Sequence, residues 1–162
     1  MRKISFIKWF VCAIIIVVMD QASKLWALDS LTHHDISVFS GLNFALTQNA
    51  GAVFGILAKS SGWQRWFFTG FALVMIIIII AWQNNLKDSE GSESLALALV
   101  LGGGIGNVVD RIRLGYVIDF IDVYYEQWHW YTFNVADMFI CIGAIVLLWI
   151  SLFNRKQRNI FA

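Results

Sequence analysis

The sequence has no proline, only two cysteines and little charge, with Asp, Glu, Lys and Arg making up 14% of its 162 residues. Each shortage excludes something. Without proline, no long stiff linker is evident. Cys12 and Cys141 both lie inside apolar runs. They lack metal-like spacing and an obvious partner, so both read as small core residues. A formal net charge of +1 offers no bulk attraction to nucleic acid. Soluble domains carry about a quarter charged residues. This chain falls far short of that and is 59% hydrophobic, the composition of a membrane protein. Its length supplies about four spans of roughly 20 residues each.

Arg2, Lys3 and Lys8 precede an apolar run from Trp9 to Met19. That start resembles a signal peptide, but no small-x-small cleavage site follows. Asp20-Gln-Ala-Ser-Lys24 continues the run, so the expectation is a retained first helix over about residues 4–28. Asp20 and Lys24 are four apart and share a helix face, where they can pair. The pair either holds helices together or shapes a binding site. Further helices are expected over about 66–82, 93–111 and 137–153, in a single integral membrane domain with outer loops at 29–65 and 112–136. The second has a tryptophan at each end, Trp66 and Trp82, which suits the two membrane interfaces. The third carries Gly102, Gly103, Gly104 and Gly106, which let a neighbouring backbone come close.

The first outer loop alternates apolar and polar residues over 36–39 and 42–47, with Ser40-Gly41 between. Period two predicts two short strands in a small sheet lying on the membrane. His33-His34 hints at metal, but adjacent side chains diverge and no third ligand lies at helical spacing. Phe54, Ile56 and Leu57 could dip into the headgroup region. The second outer loop is rich in aromatics from Tyr116 to Phe133 and is expected to lie at the interface. The fold class is thus all-α, four transmembrane helices with a periplasmic sheet-like cradle and an interfacial loop.

Three positive charges lie in residues 1–8 and three more after Phe153. The positive-inside rule places both termini in the cytoplasm. Asp20, Lys24, Asn49, Asn107, Asp110, Arg111, Asp119, Asn134 and Asp137 then fall at one depth on the outer side. Ionisable groups at such a depth carry a functional hypothesis by default. Asp119 sits inside an apolar run, and Asp137 opens the fourth helix, where the helix terminus favours its charged form. If the two meet, they can share one proton. The charged acid can take a proton from water and the protonated one can donate to a carbonyl oxygen or leaving nitrogen. This is aspartic peptidase chemistry, with no metal or cofactor. Asp122 is a competitor that lies further into the loop. Asp110 beside Arg111 reads as a structural pair. A small ion- or solute-conducting subunit using the same polar cluster is the rival reading.

Five motifs occur in order: Asp20-Gln-Ala-Ser-Lys24, Asn49-x-Gly51-Ala-x-Phe54, Gly103-x-x-Gly106-Asn107-x-x-Asp110-Arg111, Val117-x-Asp119-Phe120 and Phe133-Asn134-x-Ala136-Asp137. Together they resemble the lipoprotein signal peptidases, the type II signal peptidases of bacteria, over nearly the whole chain. The resemblance implies an inner-membrane aspartic endopeptidase, sensitive to globomycin, that cleaves prolipoproteins just before a diacylglyceryl-modified cysteine. It implies Asp119 and Asp137 as the catalytic pair. It implies Asp20, Lys24, Asn49, Gly51, Gly103, Asn107, Asp110, Arg111, Asn134 and Ala136 as residues that shape the site or bind substrate. Lipidated precursors and membrane lipids would be its partners, the loop from Asn49 to Gly55 a cover for the site, and a monomer its working form. Two departures stand out: Trp128-His-Trp-Tyr131 lacks the proline common in the family, and Met138 stands where a serine often follows the second aspartate.

Overall fold

Inside a bilayer every backbone N–H and C=O needs an internal partner, so long apolar runs become helices. The computed structural model describes residues 2–50 and 62–158. Four helices carry the apolar runs: α1 (Arg2–Ser30), α2 (Trp63–Asn85), α3 (Gly91–Arg113) and α4 (Val135–Arg158). All four contain stretches long and apolar enough to cross a membrane. They overrun the expected bounds by two to five residues at each end. Hydropathy marks where side chains stop being apolar, whereas a helix runs on until a cap or turn stops it.

Helix α3 is the hub. Over half of its most apolar window (56%) is buried in the protein, against 11–28% for the other three. Its glycines make that possible. A Cβ at Gly102 would lie 2.8 Å from the Ala13 carbonyl oxygen and 2.7 Å from Ile16 of α1. One at Gly103 would collide with the Ala136 carbonyl oxygen and Ile140 of α4, and α4 answers with Gly143, close against Ala96. Lipid tails are as apolar as leucine, so close van der Waals packing of this kind, and not water exclusion, holds the helices together. Around Ala13, Leu97, Leu101 and Ile79 it forms the buried apolar core of the bundle.

Four antiparallel strands form one sheet at one end of the bundle, in the order β1 (Ile36–Phe39), β2 (Leu42–Asn49), β3 (Val117–Tyr125) and β4 (Trp128–His129). The first two strands lie where alternation placed them, with the turn at Gly41 in the left-handed region (φ 107°) that glycine tolerates. The second outer loop is a correction: much of it is strand, not an irregular interfacial segment. Residues 117–120 are buried on both faces, which erases the period-two signal. Ile118 and Phe120 pack with Ala27 and Leu31 of α1, and Trp26 meets Phe44 edge-on at 5.3 Å. Asp119 faces the other way.

A candidate active site at the bundle's sheet end

Lys24 is the first polar group the fold encloses. It is 1% exposed, with Asp20 at 0% and Asp110 at 2%. Its ammonium pairs with Asp20 Oδ2 on its own helix and with Asp110 Oδ2 on α3, each at 2.8 Å. It also donates to Asn107 Oδ1 at 3.1 Å. Three donors meet three acceptors, the saturation a buried ammonium requires. Gln21 adds donors to Asp20 (3.2 Å) and Asp110 (2.9 Å). Gly106 lets α1 lie this near: a Cβ there would sit 2.5 Å from Asp20 Oδ2.

The start of α4 is tied into this cluster. Asp20 Oδ1 accepts the Ala136 N–H at 3.0 Å. Asn134 and Asp137 form a reciprocal capping box: the Asp137 N–H donates to Asn134 Oδ1 at 2.9 Å, and the Asn134 N–H to Asp137 Oδ2 at 3.3 Å. Asn107 Nδ2 donates to the other oxygen, Asp137 Oδ1, at 2.8 Å.

Asp119 arrives from the sheet. The Phe133 carbonyl accepts the N–H groups of Phe120 (3.0 Å) and Ile121 (2.8 Å), and the Phe133 N–H donates to Ile121 O (3.1 Å). Those bonds sew the approach to α4 onto β3 and bring Asn134 to Asp119. Asn134 Nδ2 donates to Asp119 Oδ1 at 2.6 Å, and Asn49 Nδ2, from the end of β2, to Oδ2 at 2.9 Å. One asparagine therefore touches both carboxylates. Burial pushes the Asp119 carboxyl up to about 7, and the charge of Asp137 adds to the rise. The amides of Asn49 and Asn134 and the charge of Lys24 act in the opposite direction. A carboxyl in that range is protonated or ionised near neutrality at small cost, which is what acid–base work requires.

A cavity of about 700 Å³ opens beside the carboxylates. Phe68 and Phe71 of α2 form one wall and Met138, Ile140 and Cys141 of α4 another, while Asn49, Asn107, Arg111 and Asp137 reach it from the polar side. The Arg111 guanidinium lies over the Phe68 ring, 5.9 Å from its centroid. An apolar wall meeting a few converging polar groups is the usual form of a ligand site.

Asp20, Lys24, Asn49, Gly103, Asn107, Asp110, Arg111, Asp119, Asn134, Ala136 and Asp137 are thus gathered at one end of the bundle. Of the Asn49 to Gly55 segment expected to cover the site, all from Gly51 onward lies outside the described residues, and so do Phe54, Ile56 and Leu57. Asp110 has Lys24 as a close partner besides the neighbour expected for it, Arg111, which also reaches the cavity. Cys141 needs a correction. It is exposed on α4, where it lines the cavity; that wall is itself apolar, so hydropathy does not separate it from the core. Asp122 is held by His129 at 2.9 Å, away from the pair. Gln21, Phe68, Tyr131 and Met138 were not expected among the site residues; Gln21 beside Asp20 and Met138 beside Asp137 offered a signal, and Phe68 offered none.

A four-helix membrane protein with a buried polar cluster opening onto an apolar cleft is the class this fold and site define. Within that class the chain belongs to the signal peptidase II family, whose model matches residues 12–153. It is 43% identical over 157 residues to a lipoprotein signal peptidase of Teredinibacter turnerae, covering 96% of this chain and 94% of that one. It is 48% identical over 148 residues to one of Hydrogenovibrio crunogenus, covering 91% and 86%. Two solved structures of a bacterial membrane enzyme superpose with TM-scores of 0.75 and 0.77, at 27% and 26% identity. They cover 94% and 90% of this chain, and 90% and 92% of their own. The conducting-subunit reading finds no support among these relatives.

Proposed function

We propose that this signal peptidase is an aspartic endopeptidase that uses Asp119 and Asp137 to cut the signal peptide from prolipoproteins, just before a lipid-modified cysteine. The observation that carries the reading is the shared asparagine: Asn134 donates to Asp119 and caps the helix together with Asp137. Two carboxylates so close cannot both ionise without cost. One holds a proton and the other a charge. The charged one draws a proton from water as the water attacks the scissile carbonyl. The protonated one donates to the developing oxyanion, and a second transfer releases the amine. No metal or cofactor enters this scheme.

The cleft between α2 and α4 suits a substrate that remains in the bilayer. Its apolar wall accepts acyl chains or signal-peptide side chains from the side, while Asn49, Asn107 and Arg111 can bind backbone near the scissile bond. Both termini lie in the cytoplasm in this reading, by the positive-inside rule. The sheet and the carboxylates then lie at the outer interface, where a lipidated cysteine would be found, and the protein works as a monomer.

The test uses purified protein in lipid and a diacylglyceryl precursor, followed by the gel shift on cleavage. Asp119→Asn and Asp137→Asn should each lower kcat/KM by on the order of 10³-fold or more, while both remain folded. Substantial cleavage by either variant removes that residue from the pair. Globomycin should block the wild type.

A further inference from the structure

Some donors around the two carboxylates can point only one way. A lysine ammonium never accepts. Lys24 Nζ meets Asp20 Oδ2, Asp110 Oδ2 and Asn107 Oδ1. The oxygen of the Asn107 amide must therefore face Lys24, which leaves its nitrogen for Asp137 Oδ1, 2.8 Å away. An asparagine amide can usually be turned over; here a group with no lone pair forbids it. A second one-way donor is the Asp137 backbone N–H, which takes Asn134 Oδ1. That turns Asn134 Nδ2 toward Asp119 Oδ1 and Asn107 Oδ1, at 2.6 and 3.2 Å.

The two acids are not equivalent within this directed network. Asp137 receives the amide that Lys24 orients and a backbone N–H, at a helix N-terminus, where negative charge is favoured. Among the described residues the donors to Asp119 are two neutral side-chain amides, on a strand with no helix end. We propose that Lys24 is a positioning residue that, through Asn107, directs the donors so that Asp137 holds the charge and Asp119 the proton when substrate arrives. The proposal rests on the reading of these two as the hydrolytic pair. The rise of Asp119 to about 7 agrees with it.

Each proton then has a place. Asp137 takes one from water as the water oxygen bonds to the scissile carbon, and Asp119 gives its own to the carbonyl oxygen. Asp137 next passes its proton to the leaving nitrogen as the C–N bond breaks, and a hydroxyl of the intermediate returns one to Asp119. The pair ends as it began. Among the described residues the charged and titratable groups around Asp137 are Asp20 and Lys24 of α1, Arg111 of α3, Asp119 of β3, Tyr131, and Cys141 one turn further along α4. Arg65, the one charged residue of α2, donates to the Ile112 carbonyl instead.

The test is the pH profile of kcat/KM for the purified full-length protein with a diacylglyceryl precursor. Lys24→Met should move the acidic limb upward by about one unit, so that the rate falls about three- to fivefold more at pH 5.5 than at pH 7, with KM little changed. Asn107→Leu keeps both ion pairs of Lys24 and should move the same limb in the same direction, which covers a Lys24 variant that does not fold. A profile lowered evenly by both substitutions, with the limb unmoved, overturns the relay and leaves Lys24 a purely structural role. Infrared titration supplies a second measurement. The carboxylic acid C=O band that titrates near neutrality should vanish in Asp119→Asn and persist in Asp137→Asn; the reverse pattern overturns the assignment. Retained cleavage by either asparagine variant would refute the hydrolytic pair itself, a separate failure.

Discussion

Asp119→Asn should inactivate the protein and stabilise it at the same time. In the fold the carboxyl is 1% exposed and its pKa rises from 3.8 to about 7. This is the reverse of the usual carboxylate. Between those values the folded state binds more protons than the unfolded state, so stability falls as pH rises, and above about 7 the loss is complete. The rise is about 3 units, and at roughly 1.4 kcal/mol per unit the ionised group costs the fold about 4 kcal/mol. Asparagine has nearly the same shape and no charge, so it removes this cost. Its oxygen can keep the Asn134 donor, while its nitrogen needs a new acceptor, at a cost of about 1 kcal/mol. A net gain of about 2–4 kcal/mol at pH 8 follows. At pH 5 the gain should be roughly 3 kcal/mol smaller, because the wild-type group is then protonated in the fold. Thermal unfolding in a single detergent at both pH values measures the difference. Equal effects at the two pH values, or a loss of stability at pH 8, would refute the argument.

Other outcomes follow from the packing. Gly106→Val puts a side chain into Asp20 and should break a buried ion pair, costing about 3–5 kcal/mol, whereas Gly70→Ala, with nothing within 4 Å, should be neutral; folded yield and unfolding midpoint compare them. Asn134→Ala removes both the α4 cap and a donor to Asp119, so it should lose about 1–2 kcal/mol of stability and on the order of 100-fold in kcat, the latter not recovered when stability is restored elsewhere. His129→Ala frees Asp122 and the short strand β4, and should cost about 1 kcal/mol with cleavage nearly unchanged, since that contact lies outside the site.

The helices, the hairpin and the polar residues were legible because each leaves a local mark. Apolar length marks a span, alternation marks β1 and β2, and a carboxylate in an apolar run is conspicuous wherever it falls. Strand β3 was not legible, because burial on both faces made 117–120 look like any apolar run. The partners of Lys24 were only half legible: Asp20 is one helical turn away, but Asp110 joins through the α1–α3 contact, which no spacing records. The exposed position of Cys141 was hidden for the opposite reason, since lipid and protein interior favour the same residues. The role of Asn134 in joining the acids depends on the Phe133 bonds to β3, and those are visible only once the sheet is built.

The pairing of β2 with β3 also has a meaning in time. Asn49 and Asp119 are 70 residues apart, and α2 and α3 separate their strands. During synthesis β2 emerges early and waits for its partner through two complete spans. Asp137 comes later still and takes up its hydrogen bonds only when α4 begins its own helix. On the proposed mechanism a nascent chain therefore has no hydrolytic centre until its last span begins to form, and an unfinished copy left in the membrane would be inert.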